Sequence, residues 1–349
     1  MANIAFSSWI NAWTIEKALK PLGRDLSVTQ DRGLVRQVVV GPTPGDTLFF
    51  TQEDSMCQFL GRDDLQFQPR DLPTPARDDK LAFAEFAEDL GVPTVSSRPI
   101  GGSEEEPDRK ILLKARHSWR KGRQLPRGWV CESSSDFLSA LKEIEEQGFQ
   151  RDFFFLQDWL ELQPSDNCSV CGYHDATRPE RNLIAVVQRV APYLGGQSCS
   201  AAVAVVQDPD GLIAHACRIL NALEFIGPYE MEFVRTGDGF KILELNPRFW
   251  LQHGIFLQPG NGLIRRYLSL ENDGSPGGEI RDTGVWIDGI WYLHSLLKCR
   301  LGVLSAARKT SRLGRPRLQF FPSLPVSARY LLAKVFSRQP LPRRNNRFQ

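Results

Sequence analysis

Between Glu230 and Asn246 the chain reads Glu-Met-Glu-Phe-Val, a polar stretch, then Lys-Ile-Leu-Glu-Leu-Asn. Polar and apolar residues alternate on both sides of Gly237-Asp238-Gly239, which predicts two antiparallel strands joined by a tight hairpin turn. With Asp238 at the turn centre, Glu232 stands opposite Glu244 and Glu230 opposite Asn246. Side chains alternate along a strand, so these four share one face, while Met231, Phe233, Leu243 and Leu245 share the other and are core candidates. Directly opposed carboxylates repel each other. A hard divalent cation removes that penalty, and magnesium typically takes one or two carboxylates together with phosphate oxygens. Glu232, Glu244 and Asn246 form such an oxygen donor set. On the hairpin alone, a polar face that simply meets water is an equal competitor. The next residues, Asn246-Pro247-Arg248-Phe249-Trp250, shift the balance, because Arg248 places a permanent cation within reach of phosphate.

Upstream, Ile4-Ala5-Phe6 and Thr47-Leu48-Phe49-Phe50 are short strand candidates, and Trp13 to Leu22 has helical spacing that stops at Gly23. After a loop rich in Pro and Asp (68–79), Asp78 or Asp79 caps a helix whose apolar face is Phe83, Phe86, Ala87 and Leu90 and which ends at Gly91. Lys110 to Lys114 is a strand ending in a cation, followed by the basic loop Ala115 to Arg123. A second helix is expected over Ser135 to Gln147, a strand over Phe153 to Leu160, further strands over Leu183 to Val190 and Ala201 to Gln207, and a helix over Gly211 to Leu223.

The chain of 349 residues has an odd number of cysteines, seven, and no disulfide-framework spacing. Its first residues lack the pattern of a secretory signal, and no apolar run is long enough to span a bilayer. A reducing, cytoplasmic setting is therefore expected. Cys168-Ser169-Val170-Cys171 has CxxC spacing, but only His174 lies near enough to join a zinc site, so two buried thiols in a β region are the better reading. No Walker loop and no Ser-His-Asp constellation is present. Net charge is +2, yet Gly289 to Gln349 holds thirteen Lys or Arg and no Asp or Glu, which leaves about −11 on the residues before it. Trp286 to Leu297 and Val326 to Phe336 have amphipathic helical spacing. Docking onto the body or another subunit is the favoured use of this tail, ahead of a membrane surface; nucleic acid is not an expected partner.

The run Ile242-Leu243-Glu244-Leu245-Asn246-Pro247-Arg248-Phe249-Trp250 resembles the metal-binding strand of the ATP-grasp superfamily, with Glu232 at the spacing of its second acidic ligand. The resemblance extends over roughly residues 70 to 270 and is closest to the carboxylate–amine ligase branch, which has similar segments around Asp79-Lys80 and Gly227-Pro228-Tyr229-Glu230. It implies an α/β (α+β) architecture: a small N-terminal α/β pre-ATP-grasp domain (1–75), an ATP-grasp domain (76–270) with a lid subdomain near 108–156, and a basic, partly helical C-terminal extension (271–349). It also implies roles. Lys80 and Lys114 correspond to the two nucleotide-binding lysines, and Gln157-Asp158-Trp159-Leu160 to the hinge that meets adenine and ribose. Glu232, Glu244 and Asn246 would hold one or two magnesium ions, with manganese as a substitute. Arg248, Lys114 and Arg189 would be catalytic. The nucleophile would bind near Trp250, Gln252 and His253, with His253 a candidate base.

The implied activity is ATP-dependent joining of a small carboxylic acid to an amine, such as amino acids, through an acyl-phosphate, with release of ADP and phosphate. An inactive nucleotide-binding scaffold, or an adaptor working through the tail, is the alternative, and a homodimer is compatible with the sequence. Relatives have several glycines after the second lysine. Here that loop has one, Gly122, and arginine side chains are expected to substitute for backbone amides at the phosphates.

Overall fold

The computed structural model describes residues 3–6, 9–25, 27–29, 47–51, 79–101, 109–120, 123–192, 200–256, 262–268, 277–280, 285–288 and 316–319. At the N-terminus, β1 (Asn3–Phe6) lies between β2 (Ser27–Thr29) and β3 (Thr47–Phe50), all parallel. Helix α1 (Trp9–Leu19) follows β1; a short 3-10 turn prolongs it to Leu22, and Gly23 ends it in the left-handed conformation that glycine adopts without penalty. The helix thus starts earlier than its spacing predicted and stops where expected.

Helix α2 (Lys80–Asp89) is capped by Asp79, whose Oδ1 accepts from the backbone N–H groups of Leu81 and Ala82, both at 3.1 Å. A small antiparallel sheet follows. Strands β4 (Ser97–Pro99), β5 (Ile111–Ala115), β8 (Gly128–Cys131) and β9 (Phe154–Asp158) lie in the order β4-β9-β5-β8, with the two-strand ribbon β6 (Trp119–Arg120) and β7 (Arg123–Gln124) between β5 and β8 in sequence. Helix α3 (Ser134–Glu146), capped by Ser133, covers one face of this sheet. Ile111, Leu113 and Ala115 alternate into that interface with Phe137, Leu141 and Ile144, leaving Leu112 and Lys114 on the opposite face.

The larger sheet has the order β14-β13-β10-β11-β12-β16-β17, with β15 pairing β11. Its strands are β10 (Asn167–Asp175), β11 (Leu183–Pro192), β12 (Ser200–Val206), β13 (Ile226–Thr236), β14 (Gly239–Asn246), β15 (Gly278–Glu279), β16 (Val285–Asp288) and β17 (Pro316–Gln319). One face packs on α2 and on α4 (Leu212–Ala222), with Val170, Val186, Met231, Phe233, Phe240 and Ile242 meeting Ala216, Ile219 and Leu220. The other face meets Phe249, Trp250, Phe256 and α5 (Leu263–Tyr267), against which α1 and β3 are seated. Both faces of this sheet are therefore buried over much of its area, which explains why β11 opens with a continuous apolar run, Leu183 to Val187, rather than a clean alternation.

Three expectations need correction. Trp286 does not begin an amphipathic helix: it lies in β16, 1% exposed, and β15 to β17 extend the large sheet, so the segment beyond Leu270 is not merely a tail. A Trp that fills a sheet core wins more burial there than on one helix face. The rest of that expected helix and the one over Val326 to Phe336 lie outside the described residues. Secondly, the sheet that carries Lys114 begins at Ser97 rather than near 108. Thirdly, Leu243 is only partly buried and is replaced in the core by Ile242.

The third difference reveals how the hairpin works. Its turn has two residues, Gly237 and Asp238, closed by Thr236 opposite Gly239. From there the ladder runs in a register that would put Leu243, not Glu244, opposite Glu232. A β-bulge between the Glu232 and Phe233 pairings inserts Leu243 as an extra residue and restores Glu232 opposite Glu244 and Glu230 opposite Asn246. Ile242 and Glu244 have the same parity in sequence, yet the bulge lets one face the core and the other the opposite side. The bulged strand is held from outside: Ile242 N–H donates to Pro93 O at 2.8 Å and Val95 N–H to Ile242 O at 3.4 Å.

Candidate functional site

Glu230, Glu232, Glu244 and Asn246 lie on the face of the large sheet shared by Ser169 and Cys171 of β10. Lys114 reaches this group from the small sheet, its Nζ 3.7 Å from Glu244 Oε2. Lys80 reaches the same oxygen from the start of α2, at 3.9 Å. Two cations from separate elements thus converge on one carboxylate of the opposed pair. Lys80 Nζ also donates to Ser118 Oγ at 3.3 Å. The amide of Asn246 lies between the acids and Arg248: its Nδ2 donates to Glu232 Oε1 at 3.3 Å and Glu230 Oε2 at 3.4 Å, and its Oδ1 accepts from Arg248 Nη2 at 3.1 Å.

Burial, then the charges of Glu244 and Glu230, push the Glu232 carboxyl up to about 8. Burial raises Glu230 to about 7, opposed chiefly by the Arg248 cation and by a hydrogen bond from Ser169. The ladder therefore holds together acids that resist ionising together. Arg189 of β11 also acts on both carboxylates, lowering each in part. Among the described residues Arg248 bonds otherwise to the carbonyls of Phe249 at 3.2 Å and Thr51 at 3.5 Å, and its buried Nε has no hydrogen-bond partner there. A guanidinium with neutral acceptors and an unused buried donor is suited to an incoming anion.

This donor set fits magnesium by its chemistry: two carboxylates and an amide oxygen, all hard ligands, with a crowded negative charge that a cation relieves. Among the described residues no group of three or more His, Cys, Asp or Glu is arranged to hold a metal ion, and the chain itself offers two carboxylates and one amide oxygen here. Asn246 would join the carboxylates by presenting Oδ1 in place of Nδ2.

The other expected positions are less uniform. Gln157 stands opposite Leu112 in the β5–β9 ladder, hence on the same face as Lys114; its buried side chain donates to Ser97 Oγ at 3.1 Å. Asp158 belongs by register to the opposite face, where Arg109 Nη2 donates to its Oδ1 at 2.8 Å, so it is not brought beside Lys114. Trp159 lies under the Lys110 ammonium, 4.7 Å from the ring centroid, and Leu160 is partly exposed just past β9. Trp250, Gln252 and His253 are all buried. His253 accepts no role as an accessible base in this arrangement: its Nδ1 is tied to Trp250 O at 2.5 Å, its ring packs against Phe249, and burial depresses it to about 4. Cys168 and Cys171 point to opposite faces of β10, one in each core, and burial raises both thiols, so the CxxC spacing makes no site.

One participant escaped sequence reasoning. Ser169, inside the CxxC motif, stands opposite Glu232 in the β10–β13 ladder and hydrogen-bonds the neighbouring Glu230; the pairing of these two strands, distant in sequence, is what brings it there. Arg116 was expected at phosphate but is engaged by Asp79 at 2.6 Å.

Comparison with solved structures identifies the architecture. An N5-carboxyaminoimidazole ribonucleotide synthetase in complex with ADP superposes with a TM-score of 0.59 at 16% identity, covering 86% of this chain and 85% of that one. The chain has the ATP-grasp fold. The corresponding synthase from Aspergillus clavatus, complexed with ATP, gives 0.54 at 14% identity over 86% of each chain. The biotin carboxylase domain of the Hydrogenobacter thermophilus 2-oxoglutarate carboxylase, solved as a dimer with MgADP, ADP and bicarbonate, gives 0.53 at 14% identity, covering 80% of this chain and 70% of that one. No family model and no curated protein matches the sequence. Among the described residues no helix is long and apolar enough to cross a membrane.

Proposed function

We propose that this ATP-grasp chain is an ATP- and magnesium-dependent ligase that joins a small carboxylic acid to an amine, forming an amide and releasing ADP and phosphate. The observation that carries the reading is the convergence of Lys80 and Lys114 on Glu244, which opposes Glu232 near Arg248, whose buried Nε has no hydrogen-bond partner among the described residues. Solved structures of the same fold with ATP, ADP or MgADP support it.

In this reading Lys80 and Lys114 bind the triphosphate, and Glu232, Glu244 and Asn246 hold the ion. Magnesium, when bound, supplies charge neutralisation at the phosphate oxygens. Arg248 orients the γ-phosphoryl group and stabilises charge as the substrate carboxylate attacks phosphorus and the bond to ADP breaks. Arg189 lies on the same side and serves the resulting acyl-phosphate. The amine then attacks the acyl carbon and phosphate leaves. Gln157, Asp158, Trp159 and Leu160 are proposed for the nucleoside, with Gln157 best placed by its face and Asp158 dependent on release from Arg109. One or two ions, and manganese as a substitute, belong to the same proposal. The free thiols among the described residues, Cys131, Cys168, Cys171 and Cys217, suit a reducing cytoplasm.

The test is Glu244→Gln in an ADP-release assay with a panel of amino acids, together with MgATP titration calorimetry. Turnover is expected to vanish and MgATP binding to weaken while the circular dichroism spectrum is unchanged; undiminished ADP production would remove Glu244 from the site.

A further inference from the structure

The loop after β5 carries bulky residues where the resembled family has several glycines, and its first two are engaged by Asp79. Arg116 grips Asp79 with two nitrogens: Nη2 donates to Oδ2 at 2.6 Å, and Nε lies 3.1 and 3.2 Å from the two carboxylate oxygens. His117 Nε2 stands 3.8 Å from the same carboxylate. The backbone repeats the tie, since Lys80 N–H donates to Arg116 O at 2.9 Å and Arg116 N–H to Phe153 O at 2.8 Å. Asp79 is also the N-cap of α2. One carboxylate therefore joins the residue before Lys80 to the loop two residues beyond Lys114.

Lys80 and Lys114 stand on different elements, a helix start and a small-sheet strand, yet both ammonium groups lie within 4 Å of one Glu244 oxygen. The two like charges repel each other, and the single carboxylate they share does not by itself fix the distance between their elements. A bidentate ion pair, directional and partly buried, resists their separation. Despite burial, the Asp79 carboxyl is held below its usual range by Arg116, so it stays charged at neutral pH.

We infer that Asp79 and Arg116 form a strut that sets the spacing of Lys80 and Lys114 over Glu244, and that both are positioning residues rather than phosphate ligands. The consequence for nucleotide rests on the proposed function; the strut itself does not.

The experiment compares Asp79→Ser, Arg116→Ala, Arg116→Lys and the Asp79→Ser/Arg116→Ala double variant in the full chain. Serine keeps an N-cap acceptor and removes only the carboxylate, which separates capping from the strut. Without nucleotide, amide hydrogen exchange at Lys80 and Arg116 is expected to quicken at least about tenfold in Asp79→Ser and Arg116→Ala. With MgATP, each is expected to raise Kd about tenfold, the double variant no further than the worse single, and Arg116→Lys to recover part of the loss. Unchanged exchange in both single variants, or additive losses of MgATP affinity in the double, would overturn the inference. If the wild type fails to bind MgATP, the proposed function falls while the exchange measurement still decides the strut.

Discussion

Glu232→Gln should stabilise the metal-free protein at alkaline pH and at the same time remove its response to MgATP. In the native state the Glu232 carboxyl is pushed from 4.5 to about 8 by burial and by Glu244 and Glu230. An acid raised on folding holds its proton longer in the native state than in the unfolded one. Stability is therefore unaffected below about pH 4.5, falls as pH rises from there, and levels off above about pH 8. At roughly 1.4 kcal/mol for each pKa unit, the full shift has a ceiling of about 5 kcal/mol. Partial contact with solvent, and the sharing of protons with Glu230, reduce the expected gain to on the order of 2–3 kcal/mol. Glutamine keeps an oxygen that can accept from Asn246 Nδ2, so little else is lost. Urea denaturation in EDTA at pH 5, 6.5 and 8.5 measures the effect. The variant should match wild type at pH 5 and exceed it by about 2 kcal/mol at pH 8.5. With MgATP at about a hundred times its Kd, wild type should gain roughly 2.7 kcal/mol and the variant almost nothing. Parallel pH curves for the two proteins would refute the reasoning, because neither burial nor the neighbouring acids would then raise the Glu232 carboxyl on folding.

His253 acts in the opposite direction: its folded value of about 4 lies below the ordinary 6.5, so stability should fall as pH drops from about 6.5 towards 4, and NMR titration of the imidazole should show no protonation at pH 6. Gly172→Ala would place a Cβ 1.7 Å from the Leu183 carbonyl oxygen, and a loss of more than about 3 kcal/mol, or failure to fold, is expected in denaturant melts. Ile219→Ala, at a position with no exposed surface between α4 and the large sheet, should cost about 3–4 kcal/mol while leaving MgATP affinity within a factor of two.

Much of the site was legible because its first part is local. Glu232 and Glu244 lie on adjacent strands of one hairpin, and a turn signal with period-two alternation is enough to oppose them. Even so, the opposition arises differently from the symmetric turn expected: a two-residue turn and a bulge at Leu243 replace it. Helix caps were equally readable at Asp79, Gly23 and Gly91, where side-chain acceptors or positive φ act within a few residues. Strand β16 was misread as helix because Trp286 and its neighbours are apolar at a spacing that fits either period in so short a run. His253 invited a catalytic reading by its place after Arg248, and only packing shows that it is enclosed by Phe249 and Trp250.

Sequence by itself determined which residues could share a strand face, where helices begin, and that two acids and an amide lie beside a permanent cation, since these follow from backbone periodicity over a few residues. Tertiary structure alone decided which cations meet those acids and which are spent elsewhere. Lys80 and Lys114 reach Glu244 because a helix start and a small sheet pack against the edge of the large one, whereas Arg116 turns back to Asp79. The physical reason is range: a hairpin turn or a helix cap acts between residues close in the chain, but these charges are brought together by the burial of apolar faces whose partners lie a hundred residues or more apart.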